Sequence, residues 1–284
     1  MDNIIITNQE KLDAVKARII ADGPEKLHVV SDFDKTLTSC FVNGAKIASL
    51  ISILRDENYL TPDYPEKAKA LFEKYHPIEI DPSVSLEKKK RWMHEWWNAH
   101  FELLIKSKLN KKDLEKIINS ENISLRPGVL ELLDSLKANN IPLIIISAAG
   151  LGTESISLYL NKFNRLHNNI HIDSNAFIWN DSGHATSIEE PIVHVFNKDY
   201  SSVKAHSFYE QVKDRKNVLL LGDSEGDASM IDGFDCENVI KIGFLNEISE
   251  NGDSLELFKK NFDVIILNDG PMDFVNDLLK EVVK

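Results

Sequence analysis

The chain is short of cysteine, of positive charge and of long apolar runs. Its 284 residues include two cysteines, Cys40 and Cys236, far apart and outside any CxxC pair. That excludes a disulfide framework or a zinc knuckle, and both thiols are expected to be free. Lys and Arg number 33 against 45 Asp and Glu, for a net charge of −12. Sequence-independent binding to a nucleic-acid polymer needs clustered cations, so this deficit argues against it, and against an anionic membrane surface. A small phosphorylated substrate remains compatible, provided a cation and a lysine supply local positive charge. No run of 18 apolar residues occurs, so no membrane span is expected. The start, MDNIIITNQEKLDAVKARII, lacks a basic region followed by an unbroken apolar core. No secretory leader is therefore expected, and the default location is cytoplasmic. Internal repeats and low-complexity segments are missing too.

What is present is ordinary in bulk: 43% hydrophobic and 27% charged residues, fitting one large domain or a domain with an insertion. Residues 10–22 predict an amphipathic helix through Leu12, Val15, Ile19 and Ile20. LHVVSDFD predicts a buried strand ending at Asp32. From 46 to 122 apolar residues recur at helical spacing in IASLISIL, AKALFEKY, EKKKRWMHEWWNAHFELLIKS and KKDLEKIINS. This block predicts a helical insertion within a core made of 1–45 and 123–284. After it, helix and strand alternate. RPGVLELLDSLKANN, TESISLYLNKF, SSVKAHSFYEQVKDR and MDFVNDLLKEVV predict helices, and IPLIIIS, NVLLLGD, VIKIGF and DVIILND predict strands. NIHIDSNAFIWND with SGHATSI predicts a hairpin. The expected fold is α/β, a doubly wound, Rossmann-like parallel sheet.

Three apolar runs end in polar residues: VVSDFD, LIIIS and LLLGDSEGD. Ligands of open parallel sheets sit at the carboxyl ends of the strands, so Asp32, Asp34, Ser147, Asp223 and Asp227 are expected to converge. Gathered carboxylates repel, and a hard divalent ion such as Mg²⁺ with oxygen ligands offsets this. In the DxDxT spacing Asp32 reads as a carboxylate nucleophile toward phosphorus, and Asp34 as the group that protonates the leaving oxygen and then activates water. Thr36 and Ser147 read as phosphate hydrogen-bond donors, and Lys198 of VFNKD as the balancing cation. An N-cap role for Asp32 and Asp34 at a strand–helix turn is the competing structural reading. It loses force once GDSEGD and Lys198 follow in order.

DFDKT, a strand-end serine, a lysine and GDSEGD, in that order, resemble the haloacid dehalogenase superfamily of phosphohydrolases. The resemblance implies Mg²⁺ held by Asp32, the Asp34 backbone carbonyl and Asp223. It also implies phosphate contacts from Ser147 and Lys198, Asp227 orienting the metal site, and the insertion as a C1-type cap. KYHPIEIDPSVSLEKKKRWMHEWW, ISLRPG, IIISAAG and PIVHVFNK narrow the likeness to the cytosolic pyrimidine 5'-nucleotidase family, also called 5'-nucleotidase III. That family implies a nucleoside 5'-monophosphate substrate, with hydrolysis and possible phosphotransfer to a nucleoside. It implies Glu79 reading the nucleobase and Ser147 and Ala148 matching its phosphate loop. Two departures stand out. His100 falls where the family has a serine in the nucleotide pocket, and SAAGLG carries one extra residue.

HEWWNAH does not make a zincin site, since His94 and His100 are six apart and point to different helical faces. Trp92, Trp96 and Trp97 read as cap core or interface, with Trp96 a candidate to face the base. His194 and His206 read as structural or exposed, and EKKKR as a solvated helix face. Two alternatives keep different claims open: a phosphatase of phosphoserine or a sugar phosphate, and a non-catalytic nucleotide-binding module. The reactive DxD pair argues against the latter, and its second acid argues against a dehalogenase.

Overall fold

Alternation of side chains along three central strands divides the interior into two cores. The computed structural model describes residues 3–47, 49–56, 59–81, 83–120, 123–250 and 252–284. In chain order its elements are β1 (Ile4–Ile6), α1 (Gln9–Asp22), β2 (Leu27–Ser31), β3 (Phe41–Val42), β4 (Ala45–Lys46), α2 (Leu50–Asp56), α3 (Tyr64–Ile80), α4 (Leu86–Lys106), α5 (Lys111–Ile118), α6 (Val129–Ala138) and β5 (Leu143–Ser147). There follow α7 (Gly152–Lys162), β6 (Ile170–Ser174), β7 (Phe177–Trp179), β8 (Ala185–Ile188), α8 (Tyr200–Val203), β9 (Asn217–Gly222), β10 (Asn238–Leu245), α9 (Asp253–Asn261), β11 (Val264–Leu267) and α10 (Asp273–Val282). Val29, Leu143, Ile145, Leu219 and Leu221 join the core under one face of the sheet. Their neighbours Val30, Ile144, Ile146, Val218 and Leu220 join the core under the other. Strands apolar on both faces are the mark of a covered parallel sheet.

Among the described residues the sheet has seven strands in the order β1-β11-β10-β9-β2-β5-β6, parallel throughout except for antiparallel β1. From β2 the chain builds outward through β5 and β6, then returns to β9 on β2's other side. The order therefore reverses at β2, which opens a crevice beyond the strand tips there. Helix α1 starts where the Asn8 side chain accepts the Lys11 N–H at 2.9 Å, and it buries Leu12, Val15 and Ile19.

Between β2 and β5 lie the β3–β4 hairpin and helices α2 to α5, with α3 packed along α4. Pro82, in the HPIEIDP segment, and Asn122, where the helical insertion was expected to end, lie outside the described residues. The chain leaves and re-enters the core at one place. Thr38 and Leu125 form an antiparallel bridge, Ser39 N–H donates to Ser124 O at 2.9 Å, and Arg126 N–H donates to Leu37 O at 2.9 Å. Among the described residues no helix is long and apolar enough to cross a membrane.

Two expectations about elements need correction. NIHIDS is not half of a hairpin: Ile170–Ser174 pairs in parallel with Leu143–Ser147 as the sheet's edge strand. The run breaks because the buried Asn175 side chain exchanges two 2.9 Å hydrogen bonds with the Val193 backbone, so the hairpin is β7–β8 alone. Nor is SSVKAHSFYEQVKDR one helix. It holds only short α8 and a 3₁₀ turn over Ser207–Gln211, with His206 extended between them. The His206 and His171 rings both stack on Phe208, at 5.0 and 4.3 Å between centroids, which ties the segment to β6 instead.

His28 lies inside β2, fully buried, with Arg215 O 2.9 Å from Nδ1 and the Tyr200 hydroxyl 3.1 Å from Nε2. Burial pushes its pKa down from 6.5 to about 3. The folded value lies below the unfolded one, so this group's contribution is fully present above pH 6.5 and is lost as pH falls toward 3. It adds a slope of about 1.4 kcal/mol per pH unit inside that window. Urea unfolding of His28→Gln between pH 7 and 5 should show a shallower loss of stability than wild type. An unchanged slope would exclude His28 as its source.

Candidate active site

Three strand tips deliver the polar groups. Asp32 follows β2 directly, and its N–H continues the ladder to Leu221 O at 3.0 Å. Ser147 is the last residue of β5, and Asp223 follows β9. Asp227 sits in the 3₁₀ turn Glu225–Ser229, where its Oδ2 accepts the N–H groups of Asp223 (3.2 Å) and Ser224 (3.0 Å) and the Ser224 hydroxyl (2.7 Å). Its Oδ1 faces Lys198 Nζ at 3.2 Å, and the same Nζ donates to Asp32 Oδ1 at 2.5 Å. Asp32, Asp223 and Asp227 each place a carboxylate oxygen within 4.8 Å of the others.

This approach needs a glycine at the end of β9. A Cβ on Gly222 would lie 2.3 Å from the Asp227 Cβ and 3.1 Å from its Cγ. Gly222→Ala must therefore displace Asp227 and, with it, Lys198. Steady-state assays should show kcat lowered by about 10²-fold, the scale of a 1 Å misplacement in a reacting constellation. Near-wild-type turnover would mean the loop relaxes freely.

The local charge balance is unfavourable to the acids. Burial raises the Asp32 pKa to about 7 against the lowering pull of Lys198, and the Asp227 and Asp34 charges add to the rise. Asp223 is held well above the ordinary carboxylate range by burial and by the Asp227 and Asp32 charges. Asp34 is also raised by burial, with Lys198 and Lys35 opposing. For Lys198 burial alone would lower the pKa, but Asp227 and Asp32 outweigh it, so the ammonium is held above its ordinary value. One lysine thus faces more anionic charge than it balances. An all-oxygen donor set of this spacing and sign fits a hard divalent cation.

Beyond Asp34 opens a cavity of about 780 Å³. Asp34, Lys35 and Ala148 line it near the strand tips, and Phe72, Trp96, Trp97 and His100 line it from α3 and α4. Arg55 and Lys69 also reach it, so among the described residues its lining carries four cations, with Lys35 and Lys46, against one acid. His100 is buried with an unpartnered Nε2, and burial lowers its pKa to about 4, which keeps it neutral. Trp92 is not in the lining, whereas Trp96 and Trp97 are. His194 is buried and His206 is largely exposed against Asp173.

Glu79 is not among the cavity's lining residues. It follows Phe72 and His76 along one face of α3: His76 stacks on Phe72 at 4.5 Å, and its Nδ1 lies 2.9 Å from Glu79 Oε2. Thr36 is fully buried, with an Oγ1 that has no hydrogen-bond partner. The structure thus gathers Asp32, Lys198, Asp223 and Asp227 closely, sets Asp34, Ala148 and His100 on the adjoining cavity, and leaves Glu79 at the far end of its aromatic wall. Sequence reasoning passed over Arg126, the buried arginine of ISLRPG. Its signal was a charged residue wedged between leucine and proline where the chain re-enters the core.

Known proteins resemble this chain in sequence and in fold. Residues 35–283 match the family model of pyrimidine 5'-nucleotidase (UMPH-1). A 7-methylguanosine phosphate-specific 5'-nucleotidase from Gallus gallus is 34% identical over 279 residues, covering 98% of this chain and 95% of that one. The crystal structure of cytosolic 5'-nucleotidase IIIB bound to cytidine superposes with a TM-score of 0.86 at 27% identity, over 99% of this chain and 94% of that one. A HAD-family hydrolase from Salmonella enterica shares the fold at 14% identity, with a TM-score of 0.54 over 92% of this chain and 73% of the other.

Proposed function

The chain belongs to the pyrimidine 5'-nucleotidase (UMPH-1) family and is a 5'-nucleotidase with a haloacid-dehalogenase-type fold; from that premise we propose that it hydrolyses nucleoside 5'-monophosphates through an Asp32 phosphoryl intermediate in the presence of Mg²⁺. One observation carries this reading: Asp32, paired with Lys198 and crowded by Asp223 and Asp227, stands beside the mouth of an aromatic cavity that Asp34 lines.

An Asp32 carboxylate oxygen attacks phosphorus, and the bond from phosphorus to the ribose 5' oxygen breaks. Asp34 donates its proton to that departing oxygen, a role that its raised pKa suits. Asp34 then accepts a proton from the water that attacks the phosphorus, and phosphate leaves with Asp32 restored. A nucleoside hydroxyl in place of that water gives phosphotransfer. Lys198, Ser147, Thr36 and the Ala148 backbone hold phosphate oxygens. Asp32, Asp223 and the Asp34 carbonyl would hold Mg²⁺, with Asp227 orienting the set. When bound, the ion supplies positive charge to the phosphate oxygens and to the crowded carboxylates. Residues 46–122 act as the cap that brings the base-contacting wall over the phosphate site.

For the base, Phe72 and Trp96 offer stacking faces, and Glu79 and His100 offer polar contacts. Relatives named for 7-methylguanosine phosphate and a neighbour holding cytidine support a site that accepts a base with an exocyclic amine. A carboxylate accepts hydrogen bonds from such an amine. Phosphate release from CMP, UMP, GMP and 7-methyl-GMP, with Mg²⁺ and with EDTA, tests the reading. Release from at least one nucleotide that EDTA stops is the expected result. Glu79→Gln should lower kcat/KM on that nucleotide by about 10- to 100-fold, the range for one hydrogen bond to a charged group. It should spare p-nitrophenyl phosphate. Equal losses on both substrates would remove Glu79 from base recognition, and release from phosphoserine or sugar phosphates alone would overturn the nucleotide substrate.

A further inference from the structure

Arg126 sits where the chain returns from the helical block, 1% exposed, with its guanidinium 4.3 Å from the Phe244 ring centroid. Its Nε donates to Thr36 O at 2.7 Å, Nη1 to Gly270 O at 2.8 Å, and Nη2 to Asn246 Oδ1 at 2.9 Å and to Lys35 O. Asn246 Nδ2 donates to the same Lys35 O at 3.1 Å. Lys35 needs this support: its φ of +59° lies in the left-handed region, unusual for a residue with a long side chain. Nη1 also pairs with Asp269 Oδ1 at 3.0 Å. The Asp269 carboxylate in turn accepts the N–H groups of Cys40 (2.8 Å) and Phe41 (3.0 Å), on the outgoing crossing.

We propose that Arg126 and Asp269 form a clamp that pins both crossings of the helical block to the core and sets the backbone loop that presents Asp34. Arg126 grips the carbonyls that immediately follow Asp34, and Asp269 fixes the outgoing strand just beyond. Motion of the helical block then pivots outside residues 34–41 and 124–126, and the Asp34 carboxyl keeps its place relative to Asp32 as the block moves. Only a guanidinium offers several donors in one rigid plane, so lysine cannot reproduce the grip. Arg126 is thus a positioning residue, and its catalytic consequence rests on the reading of Asp34 as acid and base.

The test compares the wild-type chain with Arg126→Lys and Asp269→Asn. The second is the milder variant, since asparagine tolerates the positive φ of 52° at that position. Amide hydrogen exchange of residues 34–41 reads the clamp directly and should quicken in both variants, most at Cys40 and Phe41 in Asp269→Asn. Steady-state kinetics read the consequence. For Arg126→Lys, kcat on a nucleotide should fall about 10²-fold with KM little changed, as expected for misplacing a reacting group. The loss should be smaller on p-nitrophenyl phosphate, whose leaving group departs without a donated proton. Should Arg126→Lys fail to fold, the exchange and kinetics of Asp269→Asn decide. Wild-type exchange at 34–41, or equal losses on both substrates, overturns the clamp. A wild-type protein inactive on every nucleotide would instead refute the function proposed above, and exchange would still decide the clamp.

Discussion

Asp32→Asn is expected to leave a folded protein that has lost phosphate release by about 10⁴-fold or more, on the scale of removing a catalytic nucleophile. Asparagine has the shape of aspartate and keeps an oxygen for Lys198, but forms no acyl phosphate. The same substitution should raise the stability of the metal-free protein. The Asp32 pKa stands at about 7 when folded against 3.8 as the reference. A raised folded value means that this group's stabilising contribution is full below pH 3.8 and lost as pH rises through 7. At neutral pH the buried, ionised Asp32 therefore opposes folding. Urea unfolding without metal should place Asp32→Asn above wild type at pH 7.5 and close to it at pH 4.5. An active Asp32→Asn enzyme would falsify the nucleophile assignment, and a less stable one would overturn the electrostatic account.

Lys198→Met carries the second large effect, in the opposite direction for stability. Lys198 is the ammonium that touches both Asp32 and Asp227, and all three are buried. Removing it leaves two buried carboxylates without their counter-charge, a loss of about 3–5 kcal/mol. Activity should fall by about 10³-fold, the upper range for losing one donor to developing charge. Adding Asp227→Asn should restore part of the stability, because it removes one of the uncompensated charges, and none of the activity. Chemical denaturation with and without Mg²⁺, beside turnover of a nucleotide, checks this. If Lys198→Met matched wild type in both, the lysine would be a bystander.

The clustered acids were legible in the sequence as candidates. Asp32 and Asp223 interrupt apolar runs at their ends, where a charge without a purpose is unfavourable, and strand tips of a parallel sheet meet in space. Asp227 was legible for the same reason, four residues further on. Gly222 was not, since its need arises from the distance to the Asp227 Cβ. Arg126 was passed over because its partners are backbone carbonyls, which leave no trace in side-chain pattern. The cavity wall was only partly visible. Trp96 and His100 were singled out from α4, but Phe72, Arg55 and Lys69 lie on helices whose mutual packing decides which side faces inward. Among the elements, β1 was missed because three isoleucines give no alternation to read, and its place comes from pairing with β11. The helix expected over SSVKAHSFYEQVKDR gave way to the stacking of His206 on Phe208, a contact made in space.

The order in which the strands are synthesised adds a last consequence. Strand β2, which carries Asp32, pairs through Val29 with Leu143 on one side and Leu219 on the other. On the ribosome it is made early, yet neither of its neighbours exists until the helical block has followed it out. Local contacts let those helices form first, while long-range pairings wait for their partners. The strand that ends at Asp32 thus gains its second flank only with β9, and β1 waits longer still, for β11. Until β9 arrives, β2 has β5 on one side and nothing on the other. Nascent protein stalled before residue 217 should be the species that chaperones engage, and the acidic cluster comes together only after that step.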